Sequence, residues 1–253
     1  MKMIHAEYQK IYFIKSSRRY LVFATMVGIL TGLLFSLTTS LTQGRTLSEL
    51  KPMEIISVNL LGVDVVSILL MLFVAIQIGR EFQEGSIASY LSAAPKRNQY
   101  FFAKAAIFFL ISLVIGIVVA LVTLMNGKLL ISALDKPMPE SDTIRQFVAG
   151  CVVMPVFYSL LALCASFMAR NTAGGIVVPA SVLFLPLFSK LLPEMLQSVI
   201  IPILPSSAIH TLSGIATKNS MEYSGMIGAV LILGIWISAF AAIAAYKFSK
   251  NDI

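Results

Sequence analysis

The stretch ISVNLLGVDVVSILLMLFVAIQI, residues 56–78, decides the fold class of this chain. Its 23 residues hold a single charged side chain, the carboxylate of Asp64. A helix needs about 20 mostly apolar residues to cross roughly 30 Å of hydrocarbon. Irregular backbone in contact with lipid would leave its N–H and C=O groups without hydrogen bonds. The stretch therefore predicts a membrane-spanning helix.

The composition of the whole chain agrees with that stretch. Of its 253 residues, 58% are hydrophobic and 12% are charged, and the mean hydropathy is +0.88. Soluble domains carry about 25% charged residues, so the composition excludes a disordered chain and argues strongly against a soluble enzyme. We predict an all-α membrane protein that forms a single transmembrane domain over residues 1–253. Its six transmembrane helices are predicted at residues 20–41, 56–78, 105–125, 147–169, 174–192 and 225–246.

The positions of Lys and Arg predict how the six helices are oriented. An even number of spans places both termini on one side, and that side carries 12 of the 19 Lys and Arg residues. By the positive-inside rule, both termini of this multi-pass cell-membrane protein are cytoplasmic. The excess positive charge is suited to anionic lipid headgroups or a cytoplasmic partner. The basic residues are spread along the membrane borders, which argues against a nucleic-acid ligand.

Two segments outside the spans are predicted to lie against the membrane surface. Residues 1–19 place Ile4, Tyr8 and Ile11 at helical spacing beside basic residues, which predicts an N-terminal interfacial amphipathic helix. The alternative is a solvated basic tail. Residues 193–224 are too apolar for a free loop, and prolines divide them into pieces shorter than a span. We predict an outer re-entrant hairpin there, before the last helix.

The predicted cytoplasmic loop at residues 79–104 reads GREFQEGSIASYLSAAPKRNQYFFAK. Charged residues at both ends flank a short stretch in which Ile87, Tyr90 and Leu91 have helical spacing. A short helix tied at both ends to spans is suited to docking against another protein. An ordinary charged turn that anchors the second and third spans explains the same residues equally well.

The chain lacks the motifs of common enzymes. It has no G-x-x-x-x-G-K-[ST] phosphate loop, and G-x-S-x-G, H-E-x-x-H and G-x-G-x-x-G are also absent. Cys151 and Cys164 are its only cysteines, and the helix between them separates them by roughly 20 Å, beyond the reach of a disulfide. His210 has no nearby acidic or Cys cluster in the sequence, so we interpret it as structural. We expect no catalytic residue, metal site or cofactor in this chain.

A few polar and small residues inside the spans are candidates for function or packing. Asp64 shares its span with Asn59 and Ser67. A carboxylate near a helix centre costs roughly 2.5–3.5 kcal/mol to insert. The three residues are therefore interpreted either as a polar patch on a substrate path or as helix–helix contacts near the outer surface. Gly28 and Gly32 form a G-x-x-x-G pattern in the first span, which favours close helix packing.

The whole chain resembles the membrane subunit of bacterial ABC transporters of the ABC-2 type. The resemblance rests on the second span ending in Gly-Arg-Glu-Phe at 79–82, followed by Glu-Gly-Ser at 84–86 and Ala-Pro-Lys-Arg at 94–97. Lys104, which opens the third span, and the basic stretch closing on an Asp at 247–253 complete it. Six spans, an N-terminal interfacial helix and a long outer segment before the last span match over the full length.

The resemblance implies the permease subunit of an ATP-binding cassette exporter. Two such subunits would face each other as a homodimer or heterodimer, and each would dock a separate ATPase subunit that binds ATP and Mg²⁺. The substrate would be an amphipathic or antimicrobial peptide, as in lantibiotic export or immunity, or a drug. The alternative is a non-transporting membrane sensor or structural protein, or a secondary carrier.

The resemblance also implies which residues couple the chain to its ATPase. The acids at 81 and 84 would meet basic groups, the glycine at 85 would permit a tight turn, and the apolar side chains at 90 and 91 would fill a slot. The predicted coupling residues are Glu81, Glu84, Gly85, Ser86, Tyr90, Leu91, Lys96 and Arg97.

The predicted orientation is testable with reporter fusions. We expect a fusion after Ile253 to report the cytoplasm and a fusion within residues 126–146 to report the outside, because of the charge asymmetry. A paired phosphatase and fluorescent-protein reporter at each site measures the side. Two fusions that report the same side would contradict the six-span topology.

Overall fold

The computed structural model describes most of the chain, namely residues 9, 11, 13–38, 48–87, 90, 97–189 and 191–250. Several features predicted from the sequence fall outside that set: most of the interfacial segment at 1–19, and the coupling residues Leu91 and Lys96. Within the described residues the structure is helical and contains no strand. The helices are α1 Lys15–Leu37, α2 Pro52–Val58, α3 Leu60–Gln83, α4 Arg97–Ala133, α5 Ser141–Ala169, α6 Thr172–Ser189, α7 Glu194–Ile200, α8 Pro205–Leu212 and α9 Met226–Lys250.

Six of the described helical segments are long and apolar enough to cross a membrane. They are α1, the combined α2 and α3, α4, α5, α6 and α9. The predicted all-α fold with six membrane-spanning helices is thus confirmed. Several helices are longer than hydrocarbon thickness requires, since the 37 residues of α4 extend about 55 Å against a core of about 30 Å.

A bent helix pair precedes the last span. Residues Glu194–Ile203 and α8 meet at an angle of 65°. Leu204 at the bend is extended, with ψ of 141°, because the ring of Pro205 disfavours helical backbone in the residue before it. No residue of α7 is buried, whereas most of α8 is, so α8 enters the bundle and packs on α9 and α5 while α7 stays outside.

Helix α5 lies at the centre of the bundle. It packs against α3, α4, α6, α8 and α9. The side that meets its neighbours is rich in small residues, including Ser159, Ala162, Ala165 and Ser166, all fully buried. Lipid tails are as apolar as the side chains themselves, so burying an apolar side chain between helices gains little. Helices in lipid associate instead through small side chains that let their backbones approach closely. By contrast, α1 and α9 are largely exposed and form the outer shell.

Contacts between distant segments define two opposite faces of the bundle. At one, which we call the terminal face, Gln77 Nε2 near the end of α3 donates to Ser17 Oγ near the start of α1 at 2.8 Å. The ring of Phe82 lies 6.3 Å from that of Phe248 near the end of α9. The terminal face therefore carries the start of α1, the end of α9 and the α3–α4 loop. The opposite, distal face carries α2, α8 and the α4–α5 loop.

The tightest helix contact joins α1 to α3. Gly28 and Gly32 of the G-x-x-x-G pattern face Gly62, and a Cβ atom on Gly62 would come within 3.0 Å of the Gly32 Cα atom. A Cβ on Gly28 would meet the side chain of Val66 and the carbonyl of Gly62. The sequence singled out the first two glycines, whereas Gly62 of α3 completes the contact.

Substitution of Gly62 tests how much the contact between α1 and α3 contributes to stability. We expect Gly62→Ala to destabilise the protein by about 1–3 kcal/mol, because the added methyl group meets backbone that has no room to move. Gly234→Ala is the matched control, since no atom lies within 4 Å of a Cβ built there. Unfolding of the two purified variants in detergent measures the stability of each. Equal stability of the two variants would contradict a close-packed contact.

Candidate functional site

The α3–α4 loop on the terminal face begins with a tight turn. At the end of α3 the backbone N–H of Glu84 donates to the Arg80 carbonyl at 2.8 Å. The next residue, Gly85, has a φ of +65°. That left-handed conformation is strained for residues with a Cβ and open to glycine. Ser86 Oγ then donates to the Glu81 carbonyl at 3.2 Å. Gly85 and Ser86 therefore shape the turn through the backbone.

A buried ion pair closes the base of the loop. Lys104 Nζ donates to Glu81 Oε1 at 2.6 Å, and Tyr100 Oη donates to Glu81 Oε2 at 2.7 Å. Glu81 and Lys104 are only 5% and 2% exposed. The carboxylate thus joins the last turn of α3 to the first turns of α4. Removing one member would leave a buried charge uncompensated, which is strongly unfavourable.

Glu81, predicted from the sequence to meet basic groups of an ATPase, has both of its oxygens bonded inside the bundle. Arg97 is also used internally, since its Nη1 atom donates to the carbonyls of Phe248 and Ser249 at 3.4 and 3.3 Å. The guanidinium of Arg97 supplies N–H donors and positive charge to the carbonyls in the last turn of α9.

Exposed side chains in the described part of the loop include Glu84 and Tyr90. Glu84 is exposed and forms a surface pair with Arg80 at 3.5 Å. Tyr90 is 41% exposed, and its ring centroid lies 6.1 Å from that of Tyr100. Tyr90 thus stacks on a residue that contacts Glu81 while presenting part of its ring to the exterior. Pairs such as Glu84 with Arg80 contribute little to stability, so these side chains remain adaptable.

An aromatic cluster surrounds the ion pair. Phe167 of α5 is its centre, with ring centroids of Phe248, Phe101 and Phe82 at 5.0, 5.1 and 5.6 Å in edge-to-face geometry. Such pairs add to the energy of burial and fix ring orientation. The cluster joins the α3–α4 loop to α5 and α9. The sequence interpretation missed Phe167 and Phe248, because both lie on helices remote in sequence from the loop.

A second candidate region lies toward the distal face. A cavity of about 710 Å³, open on one side, is bordered by α2, α3, α5, α6 and α8. Asp64, Tyr158 and His210 line it together with serines and many apolar side chains. Asp64 is half-buried, and Tyr158 is 1% exposed. The cavity is therefore mainly apolar, with one carboxylate contributed by a spanning helix.

Asn59, Asp64 and Ser67, interpreted from the sequence as a polar patch or as helix contacts, have different surroundings in the structure. Asn59 sits between α2 and α3, and its Oδ1 atom accepts from Asn126 Nδ2 of α4 at 2.7 Å. Ser67 is buried and donates to the Val63 carbonyl of its own helix at 2.8 Å. Of the three, Asp64 alone lines the cavity. Asn59 is thus a helix contact, and Asn126, its partner, was not identified from the sequence.

His210 has an acidic partner that the sequence interpretation did not identify. Its Nδ1 atom lies 2.8 Å from Glu222 Oε2. Glu222 lies 12 residues further along the chain, in the segment that leads to α9. In the part of the chain that the structure describes, no three His, Cys, Asp or Glu side chains are grouped to hold a metal ion.

The sequence was then compared with known protein families and proteins. Residues 10–187 match the model of the family described as ABC-2 family transporter protein, which covers more than two thirds of the chain. The chain belongs to this family. It is therefore an ABC transporter permease, and its six apolar helices make it a multi-pass membrane protein. No curated protein shows a significant match to it.

The match to the ABC-2 family includes the α3–α4 loop and the part of the cavity lining that comes from α2, α3, α5 and α6. It extends from before α1 into α6, and so includes the α3–α4 loop, the Glu81–Lys104 pair and Asp64. The resemblance noted in the sequence is confirmed at the level of this permease family. The bent helix pair and α9 lie beyond the matched residues.

The ion pair of this ABC-2 permease can be tested by a double-mutant cycle. We expect Lys104→Met to lower stability by about 3–5 kcal/mol, because Glu81 stays buried without its counter-charge. Glu81→Gln combined with Lys104→Met removes both charges and should recover part of that loss. Denaturant unfolding in detergent measures the variants, with Arg80→Met as the surface control, expected to cost less than about 1 kcal/mol. Strict additivity of the two substitutions would contradict the pair.

Proposed function

We propose that this permease is the membrane half of an ATP-driven exporter, and that a separate ATPase chain docks on its α3–α4 loop. The chain has no phosphate loop of its own, so ATP and Mg²⁺ belong to the ATPase. This permease subunit then needs no catalytic residue, cofactor or metal. The excess of Lys and Arg near both termini supports a cytoplasmic position for the terminal face, where an ATPase has access.

The observation that carries this proposal is the attachment of the loop at its base. A motor can move the membrane helices only if its contact site is rigidly joined to them, because a slack linker absorbs the displacement. Glu81 holds both ends of the loop to each other, and the cluster centred on Phe167 joins them to α5 and α9. Close-packed side chains transmit displacement with little loss. A push on the loop would therefore move four spanning helices together.

The exposed side chains of the loop give the ATPase a defined contact. Glu84 offers a carboxylate to basic groups, and the partly exposed ring of Tyr90 can fill an apolar slot. Aromatic side chains often contribute most to interface affinity, about 2 kcal/mol or more each. Glu81 and Arg97 act differently in this proposal, since they hold the loop and α9 in place instead of touching the ATPase.

A second permease subunit completes the transporter in this proposal. It is either a copy of this chain or a related permease, with the substrate passing between or along the two halves. The substrate proposed is amphipathic: an antimicrobial peptide, as in export or immunity, or a drug. The mainly apolar cavity that carries Asp64 supports an amphipathic substrate.

Two loop variants test the docking proposal. We expect Tyr90→Ala and Glu84→Lys to release the ATPase or to uncouple hydrolysis from transport, while membrane insertion is unaffected because neither residue lies in a span. Affinity purification in mild detergent, with identification of any ATPase that co-purifies, measures docking, and efflux from cells or vesicles measures transport. Glu140→Lys, an exposed acid on the distal face, is the matched control.

Three outcomes would contradict the proposal. Normal docking and transport in both loop variants would place the coupling surface elsewhere. Transport that persists without any ATPase would indicate a secondary carrier. An ATPase that never co-purifies with the unaltered chain, with no transport, would favour a sensor or structural protein.

A further inference from the structure

The cavity near the distal face combines apolar walls with few polar groups. Its apolar lining comes from five helices and includes Ile68, Met154 and Leu183. Its polar lining consists of Asp64, Tyr158, His210 and three serines, Ser57, Ser206 and Ser213. At about 710 Å³ it falls within the range of small-molecule sites, about 300–1,000 Å³.

The charged group that acts on Asp64 is His210 of α8, which is itself bonded to Glu222. The Asp64 carboxylate forms no hydrogen bond or salt bridge with any residue that the structure describes, although it lies on a spanning helix. Glu81, the other acid of α3, has both oxygens bonded. An acid within a membrane helix costs about 2.5–3.5 kcal/mol and marks a functional site unless it is paired. The contrast within one helix singles out Asp64.

Tyr158 provides a second, independent observation. The residue is 1% exposed, it lines the same cavity, and its hydroxyl oxygen has no hydrogen-bond partner among the described residues. A buried hydroxyl left without a partner costs about 1–3 kcal/mol. Two polar groups of one cavity, on α3 and α5, are thus left for a molecule that enters it.

The charged groups around the cavity determine whether a cation or an anion would bind there. None of the described residues that line it is Lys or Arg. His210 is paired with Glu222 at 2.8 Å. Asp64 and Glu222 thus bring two carboxyl groups to the region, against the one imidazole of His210. Such a site attracts cations and repels anions.

We propose that this cavity binds a hydrophobic molecule that carries one ammonium or guanidinium group. Asp64 forms the salt bridge to the cation, the Tyr158 oxygen accepts one of its N–H bonds, and the walls from α5, α6 and α8 cover the apolar body. This names the substrate class of the exporter and rests on the proposed function for its role in transport. The binding step itself requires only the cavity.

Equilibrium binding to the full chain tests the proposal. The chain is purified alone in phosphatidylcholine nanodiscs, and saturable binding of tritiated tetraphenylphosphonium is measured against empty nanodiscs. Dodecylammonium should displace the probe at least about tenfold better than dodecanol, which has the same alkyl chain without the charge. Equal displacement by the two would overturn the proposal, as would the absence of saturable binding.

Variants assign the effect to the two polar residues. Asp64→Asn keeps the shape and should weaken tetraphenylphosphonium binding by about tenfold or more, equivalent to about 1.4 kcal/mol. Asp64→Glu should stay within about threefold of the unaltered chain, and Glu140→Gln, which removes an acid outside the cavity, should have no effect. Tyr158→Phe should weaken dodecylammonium several-fold and leave the phosphonium ion, which has no N–H, unchanged. Full binding by Asp64→Asn would overturn the proposal.

The design separates this proposal from the proposed function. Binding is measured without an ATPase, whereas docking is measured by co-purification. Asp64-dependent binding in a chain that captures no ATPase would support the site and contradict the exporter. Normal docking and transport with no cation binding would leave the exporter intact and overturn the site.

Discussion

The burial of one carboxylate, that of Glu81, constrains the whole terminal face. A charge buried among packed helices must be paired and hydrogen-bonded, because no water reaches it to replace a missing partner. Lys104 and Tyr100 meet that requirement only if α4 keeps one register and one rotation relative to α3. The aromatic rings packed around the pair then fix α5 and α9. One electrostatic requirement thus positions four helices and the loop between two of them.

The two acids of α3 illustrate opposite uses of a charge in a membrane protein. Glu81, at the end of the helix on the terminal face, has a cation and a phenol as partners and stabilises the architecture. Asp64, nearer the distal face, borders an open cavity beside the unpartnered hydroxyl of Tyr158. The first acid has its partners supplied by folding, and the second is available to a molecule from outside. The same helix therefore connects the candidate motor contact to the candidate ligand cavity.

The general architecture could be predicted from sequence because hydropathy over about 20 residues reports the fit of a helix to the bilayer. The break before the last span was also predictable, since Pro202 and Pro205 interrupt an apolar stretch. The pairing of helices was not, because spans apolar on all sides carry little information on which side faces a neighbour. Hence Lys104 was noted as a motif residue without its partner Glu81, Asn59 without Asn126, and the glycines of α1 without Gly62.

The bond between Arg97 and the last carbonyls of α9 affects how a deep mutational scan of this permease would look. Substitutions at Arg97 free the end of α9, and substitutions at Glu81 loosen the base of the loop, so both score as severely as substitutions at a true docking residue. A fitness map alone would therefore assign too many residues, including buried ones, to the ATPase contact. Dividing each score by the amount of protein in the membrane separates the two classes, because docking residues lower activity without lowering abundance. The residues that still score severely after that correction are expected on the exposed side of the loop, at Glu84 and Tyr90.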